Sequence, residues 1–199
     1  NINAVLWSEE LQTVVCATNG GTIAYSSDFG STWIASAFIL SGQSFLGGCY
    51  ASGLDKYFLC AGNGEIYYSP DASTWTAAAT PSFGGDAVYW IVYSEPLAKL
   101  VAVGGAFATP KIAYSTDGIT FTQAGTIALT GARAVYVDYS PELNQFVAVG
   151  NAGQIAFSSD GDTWTLAGTP SFAASPLSDV CWSPLQGEFI AVAQAGKIA

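Results

Sequence analysis

Short apolar stretches recur along the whole chain, separated by turns rich in glycine, serine, asparagine and aspartate. One unit begins with β-branched and aromatic residues at 135–140 and continues with the unbroken apolar residues 146–149. Two further short stretches follow at 154–158 and 163–167. Stretches of this kind between turns are typical of β-strands, and the unbroken one suits a strand that is buried on both faces. The unit therefore predicts four short antiparallel strands, and no segment of the chain carries a helical period.

The four-strand unit recurs, and its recurrence predicts the fold. A repeat of this length made of four short strands is typical of the blades of a β-propeller, so we expect an all-β fold. About four and a half blades are present, and we expect a complete ring of five to seven, closed by further residues of the same chain or, less simply, by another chain. The predicted blades cover approximately residues 1–36, 45–79, 86–125 and 132–168, with a partial blade at 177–199.

A second repeat lies between the third and fourth strand of each full unit. It contains a serine, an aspartate two residues later and then an aromatic residue, and the four aspartates follow one another at 43, 46 and 43 residues. An aspartate in such a turn can accept hydrogen bonds from backbone N–H groups of that turn, and the aromatic ring can pack between blades. The residues are Asp28 with Trp33, Asp71 with Trp75, Asp117 with Phe121, and Asp160 with Trp164.

The pattern Ser-x-Asp-x-Gly-x-Thr-Trp resembles the Asp box, also called the BNR repeat, of sialidase-like β-propellers. Residues 26–33 match the full pattern, whereas the other three copies are one residue shorter and the second lacks the glycine. Similar boxes occur in sialidases, in photosystem II assembly-factor propellers and in many phage or bacterial surface proteins. The resemblance implies that the four aspartates are structural and lie on the side of the propeller away from any ligand.

Composition removes several classes of function. The 199 residues carry a net charge of −10 with only five cationic side chains, so a nucleic-acid partner would find no basic surface. The chain has no histidine, which removes His-based catalysis and the commonest metal ligand, and we predict no metal and no cofactor. No apolar stretch is long enough for membrane insertion. The four cysteines form no C-x-x-C pair, and a disulfide between Cys49 and Cys60 is left open.

Candidate ligand contacts lie in the connections on the face opposite the boxes. Phe83, Phe107 and Phe172 stand there among small and polar residues, together with Arg133, the one arginine of the chain. Exposed aromatic rings beside polar groups suit a sugar or a protein partner, although these phenylalanines could instead fill the junctions between blades. Asp138 stands where other first strands have apolar residues. It is either a polar group at the central channel or a local, hydrogen-bonded exception.

These observations favour a non-catalytic recognition or structural module of a larger surface protein, adhesin or viral tail fibre. We expect a glycan or a protein surface as its partner, and an extracellular location or one at a virion or cell surface. One alternative is a glycoside hydrolase of the sialidase type whose catalytic residues lie partly outside this segment, although a single arginine cannot form the arginine cluster that the resemblance implies for sialidases. Another alternative is an assembly-factor propeller that acts on protein partners.

Overall fold

The structure, a computed structural model, describes residues 1–79, 83–131, 133–168 and 175–194, together with the backbone of residues 197 and 198. These residues form five consecutive antiparallel sheets. Four sheets have four strands in simple up-and-down order, and the fifth has three. The prediction of an all-β propeller with four-stranded antiparallel blades is therefore confirmed.

The strands follow one another in chain order within each blade. Blade 1 contains β1 (Ile2–Ser8), β2 (Thr13–Thr18), β3 (Thr22–Ser26) and β4 (Ile34–Ile39). Blade 2 contains β5 (Phe45–Ala51), β6 (Lys56–Ala61), β7 (Ile66–Ser69) and β8 (Thr76–Ala77), with a 3-10 turn at Ser52–Leu54 between β5 and β6. Blade 3 contains β9 (Val88–Ser94), β10 (Lys99–Ala106), β11 (Thr109–Ser115) and β12 (Thr122–Gln123). Blade 4 contains β13 (Ala134–Ser140), β14 (Gln145–Gly150), β15 (Ile155–Ser158) and β16 (Thr165–Leu166), and blade 5 contains β17 (Leu177–Ser183), β18 (Glu188–Ala193) and β19 (Lys197–Ile198).

The second strand of a blade is buried on both faces, as its unbroken apolar sequence predicts. In β6, Tyr57, Leu59 and Ala61 pack against blade 1, while Phe58 and Cys60 pack against blade 3. All five side chains are fully buried. The Tyr57 hydroxyl also donates a hydrogen bond of 3.1 Å to the carbonyl oxygen of Thr13 in blade 1. Each blade interface therefore combines an apolar core with a few polar links.

The first strands of successive blades contact one another, so they lie at the centre of the molecule. The aromatic residue after each Ser-x-Asp turn lies further out and faces the preceding blade. Trp75 belongs to the core between blades 1 and 2, Phe121 to the core between blades 2 and 3, and Trp164 to the core between blades 3 and 4. These three rings pack between blades, whereas Trp33, for which the sequence predicts the same packing, is half exposed.

Blade 1 has no blade packed against the corresponding face among the described residues. Trp33 is 45% exposed, although the equivalent Trp75 is only 7% exposed. Val5 and Phe29 on the same blade are exposed to 63% and 73%. The apolar face that blades 2, 3 and 4 bury against a neighbour is thus open in blade 1.

The turns between third and fourth strands share one hydrogen-bonding pattern, and we call them the Ser-Asp hairpins: residues 26–33, 69–75, 115–121 and 158–164. In the last of them, the N–H groups of Asp162 and Thr163 each donate to Asp160 Oδ1 at 2.8 Å. The Ser158 hydroxyl donates to the same oxygen and accepts the Gly161 N–H. The position of Gly161 has a positive φ of 76°, and Ala72 occupies it in the second hairpin with a φ of 63°. The aspartates therefore clamp their own turns, as predicted.

The four cysteines are free in the structure. Cys49 in β5 pairs with Phe58 in the sheet, whereas Cys60 pairs with Gly47, so the two cysteines are not cross-strand partners. Burial raises the pKa of both thiols. They act as small apolar core residues.

Trp75 and Trp33 make a matched pair for testing the blade interface. Both indole N–H groups donate to the backbone carbonyl three residues earlier, so replacement by alanine removes the same hydrogen bond at each site. We expect Trp75→Ala to lower the free energy of unfolding by about 3–5 kcal/mol, because it leaves a cavity between two blades. Trp33→Ala should cost about 1–2 kcal/mol, because its ring is already half in water. Urea denaturation of the two variants measures the difference, and equal losses would contradict the open face on blade 1.

The Ser-Asp hairpins should also make the fold sensitive to acid. The Thr32 hydroxyl, followed by the Thr32 N–H and the Ser26 hydroxyl, lowers the pKa of Asp28 to about 2. Burial acts to raise the pKa of Asp71, but hydrogen bonds from Thr74 and its neighbours outweigh burial and lower the pKa to about 2. A lowered pKa in the folded state stabilises the fold above the unfolded value of 3.8, and this contribution is lost as the pH falls toward 2. Carboxyl carbon shifts followed by NMR against pH should give midpoints near 2 for both residues, and midpoints near 4 would show that the clamps are not formed.

Candidate functional site

Each first strand contains a β-bulge at its beginning. The pairing of β1 with β2 steps from Ile2 to Ala4, so Asn3 has no cross-strand partner. The same shift occurs at the corresponding place in the other four blades, and a bulge of this kind turns an additional side chain out of the regular alternation. The five bulged residues are Asn3, Leu46, Tyr89, Val135 and Ser178.

All five bulged residues line a single cavity of about 690 Å³. The cavity lies at the end of the molecule where the first strands begin and the second strands finish, since Asn151 and Gln194, which follow β14 and β18, complete its wall. The Ser-Asp hairpins follow the third strands and therefore lie at the opposite end. We call this space the central cavity, and its volume is in the range of about 300–1,000 Å³ typical of ligand pockets.

Arg133 is the only charged residue among the described residues that line the central cavity. One of its terminal N–H groups donates a 2.7 Å hydrogen bond to the Tyr89 hydroxyl of blade 3. Its guanidinium also lies over the Tyr89 ring, 5.0 Å from the centroid. The two contacts fix the plane of the guanidinium from the neighbouring blade.

Two buried polar atoms of the cavity wall have no hydrogen-bond partner among the described residues. They are Nε of Arg133 and Oδ1 of Asn151. The two residues are neighbours, because the Asn151 N–H donates to the Arg133 carbonyl oxygen at 3.2 Å. An unpaired buried polar atom costs about 1–3 kcal/mol, and atoms of this kind concentrate where a site serves something other than stability.

An aromatic pair forms another part of the wall. The rings of Trp90 in blade 3 and Tyr136 in blade 4 are stacked, with centroids 4.2 Å apart and planes inclined by 23°. Burial, followed by the charges of Asp179 and Asp138, raises the pKa of Tyr136, so its hydroxyl stays protonated. The wall thus has a stacked aromatic pair and a cation lining the same cavity.

Of the predicted ligand contacts that the structure describes, only Arg133 lines the central cavity. Phe83 is fully buried between blades 2 and 3, where it fills the junction, so the expectation that it is exposed to a ligand is corrected. Lys111 donates a hydrogen bond to the Phe83 carbonyl oxygen at 2.6 Å and forms a salt bridge with Asp86 at 2.8 Å, so both contacts hold this connection in place. Phe107 is 75% exposed in the turn between β10 and β11, outside the cavity wall. Phe172 lies outside the described residues.

Asp138 links two blades. Its Oδ1 accepts the N–H of Tyr139 at 2.8 Å, and its Oδ2 accepts the N–H of Trp182, in blade 5, at 2.7 Å. Burial raises the pKa of Asp138, and these two hydrogen bonds oppose the shift. The residue borders a second cavity of about 500 Å³ toward the hairpin end, together with Tyr93 and Glu95, and not the central cavity. Both of its oxygens are engaged by backbone, as the local, hydrogen-bonded interpretation expects.

Sequence reasoning missed most of the cavity wall. Tyr89, Trp90 and Tyr136 read as ordinary strand residues, and nothing in their spacing marks the bulge that turns Tyr89 inward. An aromatic or polar residue at the second position of each first strand was the available signal, but Leu46 and Val135 interrupt it. Among the described residues, no group of three or more acidic or cysteine side chains is close enough to hold a metal ion.

No family model and no curated protein matches the sequence. Solved structures do match the fold. Virginiamycin B lyase from Staphylococcus aureus superposes with a TM-score of 0.74 at 11% identity, over 100% of this chain and 68% of that one. YCF48 bound to D1 peptide gives a TM-score of 0.70 at 15% identity, over 100% of this chain and 62% of that one. A chain of a nidogen/laminin complex gives a TM-score of 0.71 at 12% identity, over 96% of this chain and 72% of that one.

These likenesses show the fold. The chain is a β-propeller, and it spans between 62 and 72% of the length of the three structures. At identities of 11 to 15%, the functions of those proteins do not transfer with the fold.

The blade 4–blade 5 link can be tested at Asp138. Asp138→Ala leaves the Trp182 N–H without an acceptor, and we expect a loss of about 1–3 kcal/mol and fast hydrogen exchange at that amide. Asp138→Asn retains one acceptor oxygen, so with that oxygen on the Trp182 N–H it should preserve protection at Trp182 and lose the hydrogen bond from the Tyr139 N–H. Because the pKa of Asp138 is raised above 3.8 in the folded state, its ionisation destabilises the fold as the pH rises, so the stability of the parent relative to Asp138→Asn should fall as the pH rises through that pKa. If the Trp182 amide were as well protected in the alanine variant as in the parent, the link would be ruled out.

Proposed function

We propose that the chain is a non-catalytic recognition module that binds a protein partner at the central cavity. The observation that carries the proposal is the convergence of five bulged side chains on one cavity beside the single arginine. A bulge interrupts the regular pairing of a strand, so its repetition in all five blades supports a role for the residues it displays.

The composition of the cavity wall fits recognition of a polypeptide. Binding surfaces on proteins are enriched in tyrosine, tryptophan and arginine, and the wall has Tyr89, Trp90, Tyr136 and Arg133 together. Structural neighbours in complexes include a propeller from a nidogen/laminin complex and YCF48 bound to D1 peptide. Their names support a protein partner more directly than the glycan that the sequence left open.

Chemistry at the cavity has less support. The lining residues that the structure describes include no carboxylate, and general acid–base hydrolysis of a glycoside requires two. Asp138, the acid nearest to such a role, has both oxygens engaged by backbone N–H groups. Virginiamycin B lyase shows that this fold also hosts enzymes, so the hydrolase remains the alternative, with its catalytic residues supplied by other parts of the protein.

The wider setting follows from the resemblance to Asp-box propellers of phage and bacterial surfaces. On that basis we place the module within a larger adhesin-like or tail-fibre-like protein at a cell or virion surface, and an assembly-factor role on protein partners is its nearest alternative. Within the described residues, no helix has the length and apolar character needed to cross a membrane.

A displayed random-peptide library, screened beside a glycan array, tests the proposal. We expect peptides to be enriched and Arg133→Gln to weaken their binding by about 10- to 100-fold, because hydrogen bonds to a charged group contribute about 1.5–3 kcal/mol. Lys56→Gln is the matched control, since it removes one positive charge at the hairpin end of the molecule, where β6 begins. Binding to glycans without any to peptides, or peptide binding that is indifferent to Arg133, would refute the proposal.

A further inference from the structure

Arg133 enters the central cavity without a charged partner. The described wall of the cavity contains no carboxylate, and no described acidic side chain forms a salt bridge with this arginine. A half-buried guanidinium is costly unless an anion or several acceptors pair with it. This chain has 15 acidic residues against five basic ones, so an acidic partner within the fold would be easy to supply. Because the described wall contains no acidic partner for Arg133, we expect the anion to come from a bound molecule.

The guanidinium is also held in advance. The Tyr89 hydroxyl accepts one of its N–H groups, and the Tyr89 ring lies beneath its plane. An arginine that is already oriented loses less side-chain entropy when it binds an acceptor, and the planar fork matches the two oxygens of a carboxylate. Among the described residues, nothing accepts a hydrogen bond from its second terminal nitrogen.

The surroundings of the arginine indicate what the carboxylate is attached to. The stacked rings of Trp90 and Tyr136 and the side chains of Leu46, Val135 and Leu177 give the wall an apolar part. Apolar surface next to one cation suits a carboxylate that is linked to an apolar side chain, as in a short peptide. A polyanion fits poorly. Arg133 can pair with only one of its negative groups, and the net charge of −10 on the protein would repel the others.

We infer that the central cavity binds a carboxylate-bearing peptide segment, with Arg133 taking the carboxylate and the Trp90–Tyr136 pair packing against a neighbouring apolar side chain. The inference deepens the proposed function and rests on it. The carboxylate can come from the C-terminus of the segment or from an aspartate or glutamate within it. The two sources present the same chemistry to Arg133.

Paired N-acetylated tripeptides are the probes, measured by calorimetry on the whole chain. One series ends in a free carboxylate, a second has the same sequences with a C-terminal amide, and a third has the amide and an internal glutamate. We expect the neutral amide series to bind at least about tenfold more weakly than one of the two acidic series. Whichever acidic series binds identifies the source of the carboxylate.

A double-mutant cycle ties the effect to the arginine. With Arg133→Gln, neutralising the carboxylate should have no further effect, and Arg133→Lys should restore only part of the affinity because it lacks the planar fork. Tripeptides that bind equally well as acids and as amides would overturn the carboxylate while leaving a peptide-binding function intact. Failure of every series and of the peptide library would overturn both. Circular dichroism of each variant verifies that the fold is retained.

Discussion

An inner blade of this molecule is apolar on both faces, so it needs a neighbouring blade on each side to bury them. The second strands express the constraint most fully, since the five residues from Tyr57 to Ala61 are buried alternately against blade 1 and blade 3. The aromatic rings after the Ser-Asp hairpins extend the same interfaces outward. Stacking the blades around a centre satisfies these faces together and brings the five first strands side by side. The central cavity is a product of that arrangement.

The two ends of the molecule serve different needs. At one end, four aspartates hold their own turns through backbone N–H groups, which fixes the geometry of each hairpin locally. At the other end, the bulges interrupt pairing, and polar atoms of Arg133 and Asn151 find no partner within the described part of the chain. Locally fixed turns at one end therefore accompany a less satisfied surface at the other, which is a common relation between a scaffold and a functional face.

Much of the fold could be predicted from the sequence because its signals are local and repeated. Apolar runs mark the strands, and the Ser-x-Asp spacing specifies the hydrogen bonds of the hairpins. The residues of the candidate site are harder to predict from the sequence. Arg133 stood out only as the single arginine, and Phe83 misled because an aromatic ring in a connection reads the same whether it turns outward or, as here, fills a junction. The bulges depend on cross-strand register, which no single strand encodes, so the role of Tyr89 could not be read from its neighbours.

The repeated bulge has a consequence for how such a protein can change. Each of the five bulged positions faces the cavity without taking part in the regular pairing of its sheet. Substitution there alters the cavity while most of each blade interface, made by other residues, keeps its packing, although Asn3, which donates to the Phe45 carbonyl oxygen, and Val135, which packs against the core between blades 4 and 5, also contribute to an interface. For the proposed ligand, specificity and stability are thereby encoded largely at separate positions, and a lineage could exchange one ligand for another through a few point mutations without first acquiring a more robust fold.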